Sequence, residues 1–309
     1  FQTISPTLGQ DSLDAGLLAG LLGLVLVALY LIALYRGSGL QRLTRRSGVL
    51  GSGGLARLES LLPARAPARA PARAPARVRS RAAAGPDAGP DAGPDVVPDA
   101  GPEVALFRGC VGDVLERAVL EACETLLRAA GYRVRVPPSQ TCCGALHLHG
   151  GQREQARRLA QRNVEAFGDT GVIASFTSGC AASLRDYPDL DLGSAGDGFA
   201  DRVQDVMTLL QARLDRLQFR PLARRAALHL PCTLANVMQA GPALRGVLAA
   251  VPGLELIDLD PPQHCCGAAG RHFLSHPDAS DRLLAPKLRA IQALRPDLVL
   301  SSNVGCSLH

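Results

Sequence analysis

Nine cysteines stand in this 309-residue chain, and eight of them fall into a pattern that occurs twice. Cys110 is separated by 31 residues from the adjacent pair Cys142 and Cys143, and 36 more precede Cys180. In the second copy, 32 residues separate Cys232 from Cys265 and Cys266, and 39 more precede Cys306. Flanking residues repeat as well. Ala105-Leu-Phe-Arg-Gly-Cys110 aligns with Ala227-Leu-His-Leu-Pro-Cys232, and Ser178-Gly-Cys180 aligns with Val304-Gly-Cys306. Pro138-Ser-Gln-Thr-Cys-Cys-Gly-Ala145 aligns with Pro262-Gln-His-Cys-Cys-Gly-Ala268 across a one-residue gap. Four thiolates gathered from three segments suit a soft metal or an iron–sulfur cluster. Gly144 and Gly267, after the paired cysteines, allow a tight turn that brings backbone amides near the sulfurs.

Blander roles compete for the same residues. A buried cysteine is a good small apolar filler, which is the reading for Cys123, alone outside the pattern and within a helical stretch. Eight cysteines duplicated in register argue against filler. Adjacent cysteines rarely pair with each other, and a cytoplasmic setting disfavours disulfides. Structural zinc prefers compact C-x2-C pairs, which the pattern lacks.

Elements of alternating type must position these residues. Strands are expected at 105–107, 132–136, 172–176, 226–230, 254–259 and 298–302, and helices at 113–130, 151–167, 241–250 and 278–294. Strands separated by helices of this length imply parallel βαβ units. The predicted fold class is therefore α/β, two duplicated βαβαβ parallel-sheet domains over 104–222 and 223–309. Each cysteine site lies just past a strand, at the carboxyl edge where open α/β sheets place ligands.

Other polar residues near these sites are weaker candidates. His147, His149, His264, His272 and His276 flank the Cys-Cys-Gly segments, where histidines tune potentials or move protons. His229 falls on a predicted strand, which favours core packing. Arg271 is a candidate for neutralising cluster charge. Lys287 is the only lysine, a scarcity that reflects codon bias more than chemistry. The sequence holds no P-loop, no G-x-G-x-x-G, no Ser-His-Asp elbow and no H-E-x-x-H.

The segments before residue 104 differ in kind. Residues 1–14 read as an extracytoplasmic tail. Residues 15–36 read as a transmembrane helix, because 15–35 are 21 consecutive uncharged, mostly apolar residues, about 31 Å as a helix. Arg36, Arg42, Arg45 and Arg46 follow it, placing the C-terminal side in the cytoplasm. Residues 37–103 read as a disordered linker, basic and then rich in Pro-Ala-Arg and Gly-Pro-Asp repeats. The net charge of +5 belongs to that linker: residues 36–82 carry eleven Arg against Glu59, while residues 83–309 sum to −3. A basic nucleic-acid-binding domain is thereby excluded.

Residues 104–309 resemble the cysteine-rich CCG-domain family, found in the iron–sulfur subunit of glycolate oxidase, lactate-utilisation proteins and heterodisulfide reductase subunits. The run Val134–Asn163 is similar to the glycolate oxidase iron–sulfur subunit, as are CCGAAG from Cys265 and the Leu-Ala-Pro-Lys-Leu stretch at 284–288. The resemblance implies an iron–sulfur cofactor, most commonly 4Fe-4S. It also implies electron transfer from a FAD-linked 2-hydroxy-acid oxidase subunit toward a membrane quinone pool. By position, Cys110, Cys142, Cys143 and Cys180 serve one site, and Cys232, Cys265, Cys266 and Cys306 the other. The fullest form of the motif ends in C-x-x-C; here Ser183 and His309 hold the last positions, which puts a five-cysteine cluster in doubt. The two C-x2-C-x2-C-x3-C-P runs of a ferredoxin-like region are absent from this sequence. A heterodisulfide-reductase-like thiol/disulfide catalyst and a zinc-binding structural module stand as alternatives. Residues 2–36 separately resemble a membrane segment of the protein-export subunit SecD, from which no translocase activity is carried over.

Overall fold

A computed structural model describes residues 79–80, 101–259 and 265–309, all within one compact unit, Arg73–His309. The predicted tail (1–14), transmembrane helix (15–36) and nearly all of the linker (37–103) lie outside the described residues. Among those described, no helix is long and apolar enough to cross a membrane. Arg79–Ser80, inside the predicted linker, pairs antiparallel with Leu217–Gln218.

In the first half, β1 (Glu103–Phe107) leads through α1 (Cys110–Leu115) and α2 (Arg117–Ala129) to β2 (Arg133–Arg135). Then α3 (Ala145–Leu148) and α4 (Arg153–Phe167) lead to β3 (Val172–Ser175). Next, α5 (Ser178–Arg185) and α6 (Ser194–Ala200) reach β4 (Val203–Asp205), followed by α7 (Val206–Gln211). The four strands form one parallel sheet in the order β2-β1-β3-β4. The second half runs β5 (Arg224–Leu228), a π-helical segment Thr233–Met238, α8 (Gly241–Ala249) and β6 (Leu254–Asp258). It ends with α9 (His272–Ser275), α10 (Pro277–Leu294), β7 (Leu298–Leu300) and α11 (Val304–Leu308). These strands are parallel in the order β6-β5-β7, the arrangement of β2-β1-β3 over again. The α/β class and the duplication expected from the sequence are both present.

β1 is central and apolar on both faces, as a strand covered on both sides must be. Its Ala105 and Phe107 pack with Ala156 and Ala160 of α4 and Leu184 of α5. Val104 and Leu106 pack on the other face with Leu120 and Leu127 of α2 and Leu209 and Leu210 of α7. The first of these layers continues into the second half through Leu228, Leu234, Met238 and Leu244, so the halves share a core. Polar contacts fasten the same seam: Ser178 N–H donates to Ser302 O (3.0 Å), and Ser178 Oγ meets Thr233 Oγ1 (2.8 Å).

Three local differences from expectation bear on the site. The helix expected over 113–130 is two helices broken at Glu116, which gives Cys110 a short helix of its own. Gly112 in that helix lies on Phe176, where a methyl group would stand 2.6 Å from the ring. The strand expected over 226–230 spans 224–228 instead, so His229 falls just past its end. β4, three residues long, is too short to show an alternating pattern and had not been expected.

Candidate functional site

Each cysteine of the duplicated pattern follows the carboxyl end of a strand. Cys110 opens α1 after β1, Cys142 and Cys143 follow β2, and Cys180 sits in the first turn of α5 after β3. Cys232, Cys265 and Cys266, and Cys306 follow β5, β6 and β7 in the same way. All nine thiols are free of disulfides.

The first four form a connected chain of thiols. Cys110 Sγ donates to Cys142 Sγ at 3.2 Å, and Cys143 bonds to the sulfurs of Cys142 and Cys180. The bond from Cys110 holds Cys142 far below the ordinary thiol range, at about 2, and the bond from Cys143 lowers Cys180. Cys110 and Cys143, as the partners that keep their protons, are pushed up. Thiols hydrogen-bonded to one another in this way favour the thiolate on the accepting sulfur, the form in which sulfur binds metal. Cys143 is buried while Cys110 lies at the open rim.

The backbone around this pair is pinned. Gly144 takes φ +91°, and its N–H points at Cys142 Sγ (3.5 Å). A methyl group on Gly144 would stand 3.3 Å from the backbone of Ala156. The fully buried Asn163 accepts from Thr141 N–H (2.7 Å) and donates to Cys142 O (3.0 Å) and Tyr187 Oη (2.8 Å). Tyr187 in turn donates to Cys143 O (3.2 Å).

The second four are gathered less tightly. Cys266 and Cys306 share a hydrogen bond of 3.0 Å, which holds Cys266 down to about 4 and pushes Cys306 up. Cys265 accepts from Gly267 N–H (3.3 Å), with Gly267 at φ +85°. Cys232 is exposed, and its thiol is raised by desolvation and then by the charge of Cys265. Cys232 and Cys265 act on the Cys266–Cys306 pair through charge, and no thiol–thiol bond joins them to it among the described residues.

The motif-end residues and the flanking histidines are placed as follows. The His309 side chain is buried, donates from Nδ1 to Cys266 O (2.7 Å) and holds Nε2 3.7 Å from Asp281, so it braces the loop backbone. Ser183 is buried on α5. His147 bonds to Gln152 (2.6 Å), and its charge slightly lowers Cys142. His272 and His276 stack at 4.7 Å; His149, His276 and Arg271 are exposed; His264 lies outside the described residues. Cys123 is buried on α2 as expected, its thiol pushed up to about 12 by desolvation.

Two residues were passed over in the sequence. His229, expected as strand packing, is 6% exposed, and its ring reaches Cys266 and Cys306 with all three ligand atoms within 4.8 Å of one another. Lys287, set aside as compositional, is 2% exposed, and its ammonium acts on all four second-half thiols. The signal was the duplication itself: carried along the helices after each Cys-Cys-Gly, it sets Lys287 against Asn163.

The donor set fits an iron–sulfur group: soft thiolates from three loops, amides aimed at sulfur, and glycines whose missing side chains leave room. Comparison with known proteins agrees with this chemistry. Over 299 residues the chain is 30% identical to the probable glycolate oxidase iron-sulfur subunit of Bacillus subtilis, matching 91% of this chain and 62% of that protein. It is 28% identical over 218 residues to the glycolate oxidase iron-sulfur subunit of Escherichia coli, 67% of this chain and 53% of that one. Lactate utilization protein A of Shouchella clausii is 25% identical over 212 residues, 67% of this chain and 89% of that one. The chain therefore spans about half to three-fifths of the two glycolate oxidase subunits. A family model for the cysteine-rich CCG domain matches twice, at residues 104–185 and 226–309, together more than half the chain. The duplicated cysteine pattern, its placement at two parallel sheet edges and these matches make the chain a member of the cysteine-rich CCG-domain family.

Proposed function

We propose that this chain is an iron–sulfur electron-transfer subunit of a glycolate or related 2-hydroxy-acid oxidase. It accepts electrons from a FAD-linked subunit and passes them toward a membrane quinone pool. The observation that carries this reading is the gathering of Cys110, Cys142, Cys143 and Cys180 at the carboxyl edge of one parallel sheet. The second quartet follows the same edge of its own parallel sheet, with Cys266 and Cys306 hydrogen-bonded. Each quartet would hold one cluster, 4Fe-4S in type, which supplies a site for taking up and releasing single electrons.

The chain's own residues do the holding. Cys142, Cys180 and Cys266, already favoured as thiolates, offer the first sulfurs. Gly144 and Gly267 direct amide hydrogens at the sulfurs of Cys142 and Cys265, a contact that stabilises negative charge on them. Exposed Cys110 and Cys232 leave each site open at one rim, where a partner can approach. The domains are taken as 104–222 and 223–309, tethered through the 37–103 linker to a transmembrane helix at 15–36 in the cytoplasmic membrane, with both domains in the cytoplasm. The names of the relatives support the oxidase assignment, and the positive-inside distribution of Arg supports the topology.

Anaerobic purification followed by visible absorption, iron and acid-labile sulfide analysis tests the reading. Brown protein with iron and sulfide in equal amounts is expected, with Cys142→Ser and Cys265→Ser each losing one site's share. Colourless protein with stoichiometric zinc rejects it.

A further inference from the structure

The two halves repeat in sequence and in strand order, yet they differ at two positions that face the thiols. Gly144 packs on Ala156 in the first turn of α4, and Gly267 packs on Ser280 in the first turn of α10. Seven residues further along each helix, on the same face, stand Asn163 and Lys287. Asn163 is neutral and fully hydrogen-bonded. Lys287 is a cation, equally buried, whose Nζ has no hydrogen-bond partner among the described residues. The second difference lies past the central strands. Phe107 packs in the first half's core, while its aligned counterpart His229 leaves both ring nitrogens without a hydrogen-bond partner of normal geometry. One of those nitrogens lies within 4.8 Å of the sulfurs of Cys266 and Cys306.

A buried ammonium without a partner is strongly unfavourable unless negative charge lies nearby to compensate it. Among the described residues, the negative charges that act on Lys287 are those of the four second-half sulfurs together. Among the described residues no buried lysine or arginine stands at the first quartet, where the equivalent helix position is Asn163, and His147 beside it is engaged with Gln152.

We propose that Lys287 and His229 make the two sites inequivalent, so that the second-half site takes up an electron at a higher potential than the first. This inference rests on the iron–sulfur reading above. Each reduction adds one electron and one negative charge to a site. A fixed cation in a low-dielectric setting stabilises that added charge, and an imidazole beside the sulfurs acts in the same direction. Lys287 is thus a positioning and charge-setting residue for the second site. Electrons entering the chain settle in the second half.

An electron paramagnetic resonance redox titration of the anaerobic, iron-loaded full chain tests this. Two midpoints are expected, the higher one assigned to the second half by its loss in Cys265→Ser. Lys287→Met should lower that midpoint alone by at least tenfold in the reduction equilibrium, ~59 mV for one electron. Lys287→Arg should restore it. His229→Phe, which installs the first half's residue, should shift the same midpoint the same way and serves if Lys287→Met fails to load. A single midpoint, an unmoved higher midpoint in the loaded variants, or an assignment of the higher one to the first half overturns the inference. Wild-type protein without iron and labile sulfide rejects the iron–sulfur reading itself.

Discussion

Asn163 does for the first thiol pair what the cysteines cannot do for themselves. Paired cysteines need an irregular backbone, and irregular buried backbone leaves amides and carbonyls to be satisfied. Asn163 takes Thr141 N–H and Cys142 O, and through Tyr187 it secures Cys143 O. Asn163→Ala leaves these groups buried without partners, at a cost on the order of 3 kcal/mol. Urea denaturation should show that loss, and iron analysis should show the first site depleted with the second retained. Wild-type stability in the variant would mean that the loop holds its shape without the asparagine. The second half braces its pair differently, with Ser280 Oγ donating to Gly267 O (2.5 Å) and His309 to Cys266 O. Releasing the helix position from backbone duty is what leaves room there for Lys287.

Among the elements, α7 carries an acid where burial makes charge costly. Asp205 ends β4, caps α7 by accepting from Met207 N–H (2.8 Å), and is 3% exposed. Desolvation raises its pKa from 3.8 to about 6, against the opposing effect of that bond and of Arg185. Because the folded value is the higher one, its stabilising contribution is complete below pH ~4 and is lost as pH rises through ~6. Asp205→Asn keeps an acceptor for the cap and removes the ionisation. The variant should gain up to about 3 kcal/mol over wild type at pH 8 and little at pH 4, read from urea midpoints at the two pH values. The elements also mark how far the sequence could be read. Apolar runs such as Val104–Phe107 and Val172–Ser175 announce buried parallel strands, and the cysteines after them locate both sites. Three-residue β4 and the π-helical turn after Cys232 carry no periodic signal; tertiary pairing and packing make them. Lys287 and His229 escaped for a related reason. A lysine on a helix is read as solvated, and only tertiary packing leaves Lys287 2% exposed.

At the scale of the whole molecule, the halves are repeats in sequence but not independent bodies. The first sheet has four strands and layers on both faces, whereas the second has three, with Leu298 36% and Val299 49% exposed. Its buried Leu228, Leu234, Met238 and Leu244 complete the layer that also holds Phe107 and Tyr187. The seam runs beside both sites: Ser178 and Cys180 share α5, and Asn303 caps the helix of Cys306 while donating to Thr233 Oγ1 (3.2 Å). Gly179 lies so close to that asparagine that a methyl group would stand 3.1 Å from its Nδ2. A half removed from this seam exposes apolar area that nothing else covers, and the conformational entropy of so short a chain then outweighs the burial that remains. Residues 223–309 expressed alone should therefore show no cooperative urea transition by circular dichroism. Mixed with residues 101–222, they should regain one as a complex of the two fragments. A sigmoidal transition in the isolated second half would mean that its core closes without the first, and that the shared layer is contact between finished domains.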